Sequence, residues 1–139
     1  MNDLLPARRD YKPEVLTTPM SELPFVSRPE RKDKKARHSN WNVPAAEDYG
    51  VACEIGREYA AHYIQYLKDN PGQMPILNCI VSDIDFEDKS NTKGYWVGFI
   101  SYLDRLLRAQ ARQLDVFADV DREQAIYARL AANAKGEAS

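Results

Sequence analysis

The chain has 139 residues, 44% of them hydrophobic and 29% charged, with a net charge of −2 at pH 7. That length suits one domain with room for an appendage. No run of about 18 apolar residues occurs, which excludes a helical membrane span. The opening MNDLLPARRD has no apolar run behind a basic start, so no secretory signal is expected. Cys53 and Cys79 make neither a disulfide framework nor a metal-ligand spacing, and two thiols fit a reducing, cytoplasmic setting.

The residues are unevenly spread. Six of the eight prolines (Pro6, Pro13, Pro19, Pro24, Pro29, Pro44) and none of the glycines fall in the first 44 positions. Proline removes a backbone donor and restricts the residue before it, so no helix or central strand can run through that spacing. Residues 1–44 hold nine Lys/Arg against six Asp/Glu, a net +3, and residues 45–139 hold ten against fifteen, a net −5. The pattern predicts a basic, extended arm over 1–43 and a helical body over 44–139. Leu4, Leu5, Tyr11, Leu16, Phe25 and Val26 recur along 4–26 as apolar anchors, which a purely solvated tail lacks. Such an arm can lie along a surface in extended form, its anchors filling small pockets. The surface can belong to its own body, a second copy or another protein. The segment 27–40 has no aliphatic residue larger than Ala36 and is expected to be exposed.

From Pro44 the period becomes helical. Tyr49, Ala52, Cys53, Gly56, Tyr59, Ala60, Tyr63 and Leu67 follow a three-four rhythm, while Glu54, Glu58, His62, Gln65 and Lys68 take the other side. Pro44 suits a first turn and Asn70-Pro71-Gly72 is a stop. Ala52, Gly56 and Ala60 stand at spacing four. A mid-helix glycine costs about 1 kcal/mol relative to alanine, so this face predicts a close approach by another helix. A second helix is expected over 76–86, with a strand as rival because Ile and Val favour sheets. Trp96, Phe99, Ile100, Leu103, Leu106, Leu107, Gln110 and Leu114 predict a third helix, capped by Asn91 or Thr92. A fourth is expected after Asp119 or Asp121, with the stripe Val120, Ile126, Tyr127, Leu130, Ala134 and Gly136 closing it. The expected fold is all-α, a small bundle of about four helices with an extended, proline-rich basic arm.

Signatures of chemistry are missing. His62 and Cys53 share a helix but lie on opposite sides of it, and His62 reads as a solvated residue. Both cysteines read as small buried hydrophobes. Asp83, Asp85, Glu87 and Asp88 suggest a calcium loop, but the positions that require glycine and a bidentate glutamate hold Asp88 and Gly94. The same test fails from Asp119. No phosphate loop, zincin helix, nucleophile elbow or dinucleotide fingerprint occurs. No catalytic residue, metal or cofactor is therefore expected.

Basic and aromatic residues point instead to contacts. Arg28, Arg31, Lys32, Lys34, Lys35 and Arg37 give a net +4 against Glu30 and Asp33, followed by Trp41. A basic run releases counterions from a phosphate backbone, and an aromatic can stack on a base. Arg105, Arg108 and Arg112 share one helix face and could meet an acidic partner, although Asp104 pairs with Arg108 at i, i+4. The tyrosines of the first helix are numerous for a small core and suggest an aromatic contact face. The leading expectation is a non-enzymatic interaction protein (assembly subunit, adaptor or stoichiometric inhibitor) that binds a protein partner or itself through its arm and a helical face. The alternatives are a nucleic-acid accessory factor using 28–41, and a small enzyme without a recognisable motif. No membrane role is expected.

Overall fold

Three glycines bring two helical backbones into contact, and the rest of the first half of the chain is arranged around that contact. The structure is a computed structural model that describes residues 4–12, 18–26, 40–72 and 75–137. These form α1 (Tyr49–Asp69), α2 (Leu77–Ser82), α3 (Gly94–Ala111) and α4 (Val116–Glu137), with 3-10 turns at Met20–Glu22 and Asn91–Lys93. The protein is all-helical, with no strand among the described residues. No helix among them is long and apolar enough to cross a membrane. Two compact units divide the chain, Met1–Leu103 and Asp104–Ser139, so the divide falls inside α3.

In the first unit, α1 begins at Tyr49 rather than at Pro44. Asp48 caps it, its Oδ1 accepting from the Val51 amide at 2.8 Å. The residues before the cap are tied down instead. The Ala46 amide donates to Thr92 Oγ1 at 3.0 Å, and Asn91 Nδ2 donates to the Glu47 carbonyl at 2.8 Å. With Asn91 and Thr92 occupied in this way, Ser90 caps the turn before α3, its Oγ accepting from the Thr92 amide at 3.2 Å. Ser90 therefore replaces the expected caps. The α1 C-terminus falls at the expected stop, where the Asn70 amide donates to the Tyr66 carbonyl at 3.0 Å.

A Cβ added at Gly56 would fall on the Tyr95 carbonyl oxygen, and one at Gly98 on the Cys53 carbonyl oxygen. At Gly94 it would sit 2.7 Å from both Ala52 Cβ and the Tyr49 carbonyl oxygen. The row Ala52, Gly56 on α1 thus meets Gly94, Gly98 on α3, the small-residue packing that lets helices approach at backbone distance. The contact is the reason α1 tolerates a glycine in its middle.

Between these helices, α2 is a helix and not a strand, but it is shorter than periodicity predicts. It stops at Ser82 because Asp83 is held from outside: the Asn40 amide and Nδ2 both donate to Asp83 Oδ2, at 3.1 and 2.7 Å. The following turn buries Ile84 and leaves Phe86 exposed.

The core of this unit draws on every described segment. Ala52, Ile55, Tyr59, Ala60, Tyr63 and Tyr66 come from α1, Ile80 and Ile84 from α2 and the turn after it, and Tyr95, Trp96 and Phe99 from α3. Tyr11, Leu23, Phe25 and Val26 complete it from the N-terminal segment. Phe25 is its hub at 0% exposure, with ring centroids 5.2 Å from Trp41, 5.3 Å from Tyr59 and 5.5 Å from Phe99. Each such aromatic pair adds about 0.5–1.5 kcal/mol beyond burial. The tyrosines that looked too many for a small core are absorbed this way, since Tyr59, Tyr63 and Tyr66 are all buried. Tyr49 alone of the four on α1 is exposed. The cysteines depart from expectation, Cys53 being half-buried and Cys79 exposed, both as free thiols.

The second unit contains the end of α3 and all of α4. Its helix α4 starts at Val116, ahead of the expected caps, so Asp119 lies within its first turn, where the helix dipole favours negative charge. Gly136 lies inside the helix rather than beyond it, with no positive φ and nothing within 4 Å of its added Cβ.

These placements give opposite signs for the same substitution. Helix propensity alone favours Gly→Ala by about 1 kcal/mol at both Gly56 and Gly136. Gly56→Ala is expected to destabilise the first unit by at least about 2 kcal/mol through overpacking, whereas Gly136→Ala slightly raises helicity. Urea unfolding and circular dichroism of the two variants check this, and a neutral Gly56→Ala would contradict the backbone contact.

Candidate functional site

Two places in the structure collect polar or apolar groups that a partner could use: the N-terminal segment on α1, and the helices of the second unit. Along α1 at about 100° per residue, the small-residue row faces α3 and the tyrosines flank it. Glu58, His62 and Asp69 form a third row beyond the tyrosines; residues 8–12 pack on that row, and Thr18 binds Asn70 at its end. Arg8 reaches Glu58 through Nε at 2.9 Å and Nη2 at 2.6 Å. The Tyr11 amide donates to Asp69 Oδ2 at 2.7 Å. Asn70, itself buried, donates from Nδ2 to the Tyr11 and Tyr66 carbonyls at 3.2 and 2.9 Å and accepts from the Thr18 amide at 3.0 Å. The Tyr66 hydroxyl donates to the Thr18 carbonyl at 2.9 Å.

At the centre the Tyr11 hydroxyl is hydrogen-bonded to His62 Nδ1. His62 is 4% exposed, not the solvated residue its position on the polar side predicts, because the N-terminal segment covers that side. Burial pushes its pKa below the ordinary 6.5, against the opposing pull of Glu58. Burial also raises the Tyr11 phenol, while the Arg8 hydrogen bond lowers Glu58. With His62 neutral, the Tyr11 hydroxyl donates to Nδ1 and the ring proton sits on Nε2. That atom has no hydrogen-bond partner and lies 3.5 Å from Glu58 Oε2. Arg8, Arg9, Glu58, Ala61, His62 and Gln65 line an open pocket of about 130 Å³ there. The Tyr11 hydroxyl beside it is held by His62, so the arrangement ties the N-terminal segment to α1.

A pH dependence follows from the direction of the His62 shift. A histidine whose folded pKa lies below 6.5 binds fewer protons folded than unfolded, so its stabilisation is complete above 6.5 and lost as pH falls below it. Glu58, Arg8, Arg9 and Tyr11 are the groups facing it. Glu58 titrates lower, from below 4.5, where its own stabilisation is lost as pH falls through the depressed folded value. Urea unfolding between about pH 7.5 and 5 is therefore expected to show falling stability in the native chain and a flatter profile in His62→Gln. Equal slopes would contradict the buried neutral imidazole.

The expected contact residues fall into three groups. Tyr11, Phe25 and Val26 are buried in the chain's own first unit, Leu5 packs against that core and Leu4 is exposed. Trp41, read as a stacking aromatic, packs on Phe25 and donates from Nε1 to the Ile80 carbonyl at 2.9 Å. Leu16, Arg28, Arg31, Lys32, Lys34, Lys35 and Arg37 lie outside the described residues. Arg105, Arg108 and Arg112 are exposed in the second unit, Arg108 pairing with Asp104 at 2.8 Å. Three of the acidic positions near 83–88 accept hydrogen bonds. Asp83 binds Asn40, Asp85 accepts from the Glu87 amide at 3.1 Å, and Asp88 accepts from the Ser90 amide at 2.7 Å; the Ser90 side chain, with that amide, lowers the Asp88 pKa. Among the described residues no group of three or more His, Cys, Asp or Glu is placed to hold a metal.

Apolar surface stands open in the second unit. Among the described side chains of α4 none is buried, and Phe117 and Leu130 are 82% and 57% exposed. Leu107 at the end of α3 is 68% exposed, and Leu114 beyond it is exposed as well. The stripe of α3 is thus buried at Trp96 and Phe99 and open at Leu107 and Leu114, although its sequence period continues unbroken. Periodicity identifies the face of a helix; it carries no information on whether another element covers it. No known protein family, curated protein or solved structure matches this chain.

Proposed function

We propose that this is a non-enzymatic interaction protein, an assembly subunit, adaptor or stoichiometric inhibitor, that binds a protein partner through the apolar rows of its C-terminal helices. One observation carries the reading: large apolar side chains stand exposed along successive turns of α4 and the end of α3. Exposed apolar surface beyond scattered single residues marks an interaction site. An isolated helix of this length is marginal in water and takes most of its stability from packing of its apolar face. The N-terminal segment, expected to reach for a partner, supports the first unit instead, with Tyr11, Phe25 and Val26 in the core. Contact with the partner is thereby assigned to the helical face. Two free thiols, one of them exposed, suit a reducing cytoplasmic setting.

The test is native purification of the full chain beside a Leu107→Asp, Leu130→Asp double variant. The unaltered chain is expected in a complex heavier than the 15.9 kDa protomer. The variant is expected as a free protomer whose first unit keeps its stability to within about 0.5 kcal/mol. A protomer that migrates alone in both cases, or the same complex in both, would contradict the reading.

A further inference from the structure

We propose that residues 4–12 form a proton-operated clasp: protonating His62 detaches them from α1 while the helices and Phe25 stay packed. The inference concerns the first unit alone and does not depend on the interaction reading above. His62 belongs to the polar side of α1 and is buried because Tyr11, Arg8 and Arg9 lie over it. The neutral ring has one acceptor, Nδ1, and the Tyr11 hydroxyl donates to it. A proton added there turns both ring nitrogens into donors, so that hydroxyl loses its acceptor.

The buried cation has little to offset its lost hydration. From α1 it faces Glu58, whose Oε2 lies 3.5 Å from Nε2 but already accepts from Arg8 Nε at 2.9 Å. From the N-terminal segment it faces the Tyr11 phenol and the guanidiniums of Arg8 and Arg9. Arg9 lies 4.9 Å over the Tyr11 ring and pairs with Glu22 at 3.6 Å. A buried charge whose nearest counter-ion is already shared gains too little to offset its desolvation. Lifting 4–12 hydrates the imidazolium and breaks no contact among α1, α2 and α3, so this local opening admits the proton at least cost. Tyr11 is the one buried residue of that stretch, and Phe25 keeps Trp41, Tyr59 and Phe99 around it. Glu58 and Asp69 do not compete for the proton near neutral pH. Hydrogen bonds from Arg8 and from the Tyr11 amide, respectively, hold them below the ordinary carboxylate range.

Hydrogen exchange of the full chain, read by NMR as protection at single amides, tests the clasp. The released state takes up the proton at the ordinary 6.5. Protection of the Tyr11 amide is therefore expected to be about tenfold lower at pH 5.5 than at pH 7.5. The Asn42 amide and those in the middle of α1 are expected to keep theirs. His62→Gln, which retains an acceptor for the Tyr11 hydroxyl but takes up no proton, is expected to remove the change. Unchanged protection at Tyr11, an equal fall in α1, or the same fall in His62→Gln overturns the inference. A second readout needs no variant at the clasp. The His62 ring protons, told apart from those of His38 by His38→Gln, are followed through the same range. They are expected to titrate below 6.5, in step with loss of protection at Tyr11. A ring that takes up its proton while that amide stays protected also overturns the inference.

Discussion

The contact between α1 and α3 at Gly56, Gly94 and Gly98 is the constraint on which the first unit depends. Because those glycines have no side chains, the two backbones sit against each other and leave no room there for a layer of aliphatic residues. The aromatic side chains are consequently displaced to the flanks of the contact. Tyr59, Tyr63 and Tyr66 form a wall on one side of α1 that α3 alone cannot cover, and Phe25 closes it from another part of the chain. The proline-rich segment therefore replaces a helix as the final layer of a small core. A domain of this size buries a modest share of its surface and has little stability to lose, so a hub such as Phe25 contributes a large part of it.

Polar groups fix where that layer lies. A segment interrupted by prolines forms few hydrogen bonds with itself, so its amides and carbonyls need partners elsewhere. Asp69 and Asn70 supply them at the end of α1, and Asn40 with Trp41 performs the corresponding service for α2. Asn70 thus has two roles, ending the helix and binding the carbonyl of Tyr11. The Tyr11–His62 pair places an ionisable group beneath the segment, the group on which the expected loss of stability in acid rests.

The helices were legible in the sequence because amphipathic spacing is a local property. The small-residue row on α1 was legible too, since a glycine in mid-helix has a cost that only a close neighbour offsets. Burial of His62 and Asn70 was not legible: both depend on contacts with residues more than fifty positions away, to which no helical period refers. The caps went astray for a related reason. Asn91, Thr92 and Asp119 have capping side chains, yet Asn91 and Thr92 bind the segment before α1 and Asp119 sits inside α4. The stripes of α3 and α4 fall on helices as read, but whether another element covers a stripe is not written in its period, and the large apolar side chains of α4 stand exposed.

The two units consequently differ in kind. One builds a buried core with its own N-terminal segment; in the other the large apolar side chains stand exposed. Native-state hydrogen exchange of the full chain, followed by mass spectrometry, tests this contrast most directly. The expected result is slow exchange at the Tyr11, Thr18 and Asn42 amides, which donate to Asp69, Asn70 and Phe25 respectively, with rates approaching those of α1. Fast exchange in α4 at low protein concentration is expected beside it. Free-peptide rates at Tyr11, Thr18 and Asn42 while α1 stays protected would contradict the account, because the N-terminal segment would then be no part of the fold.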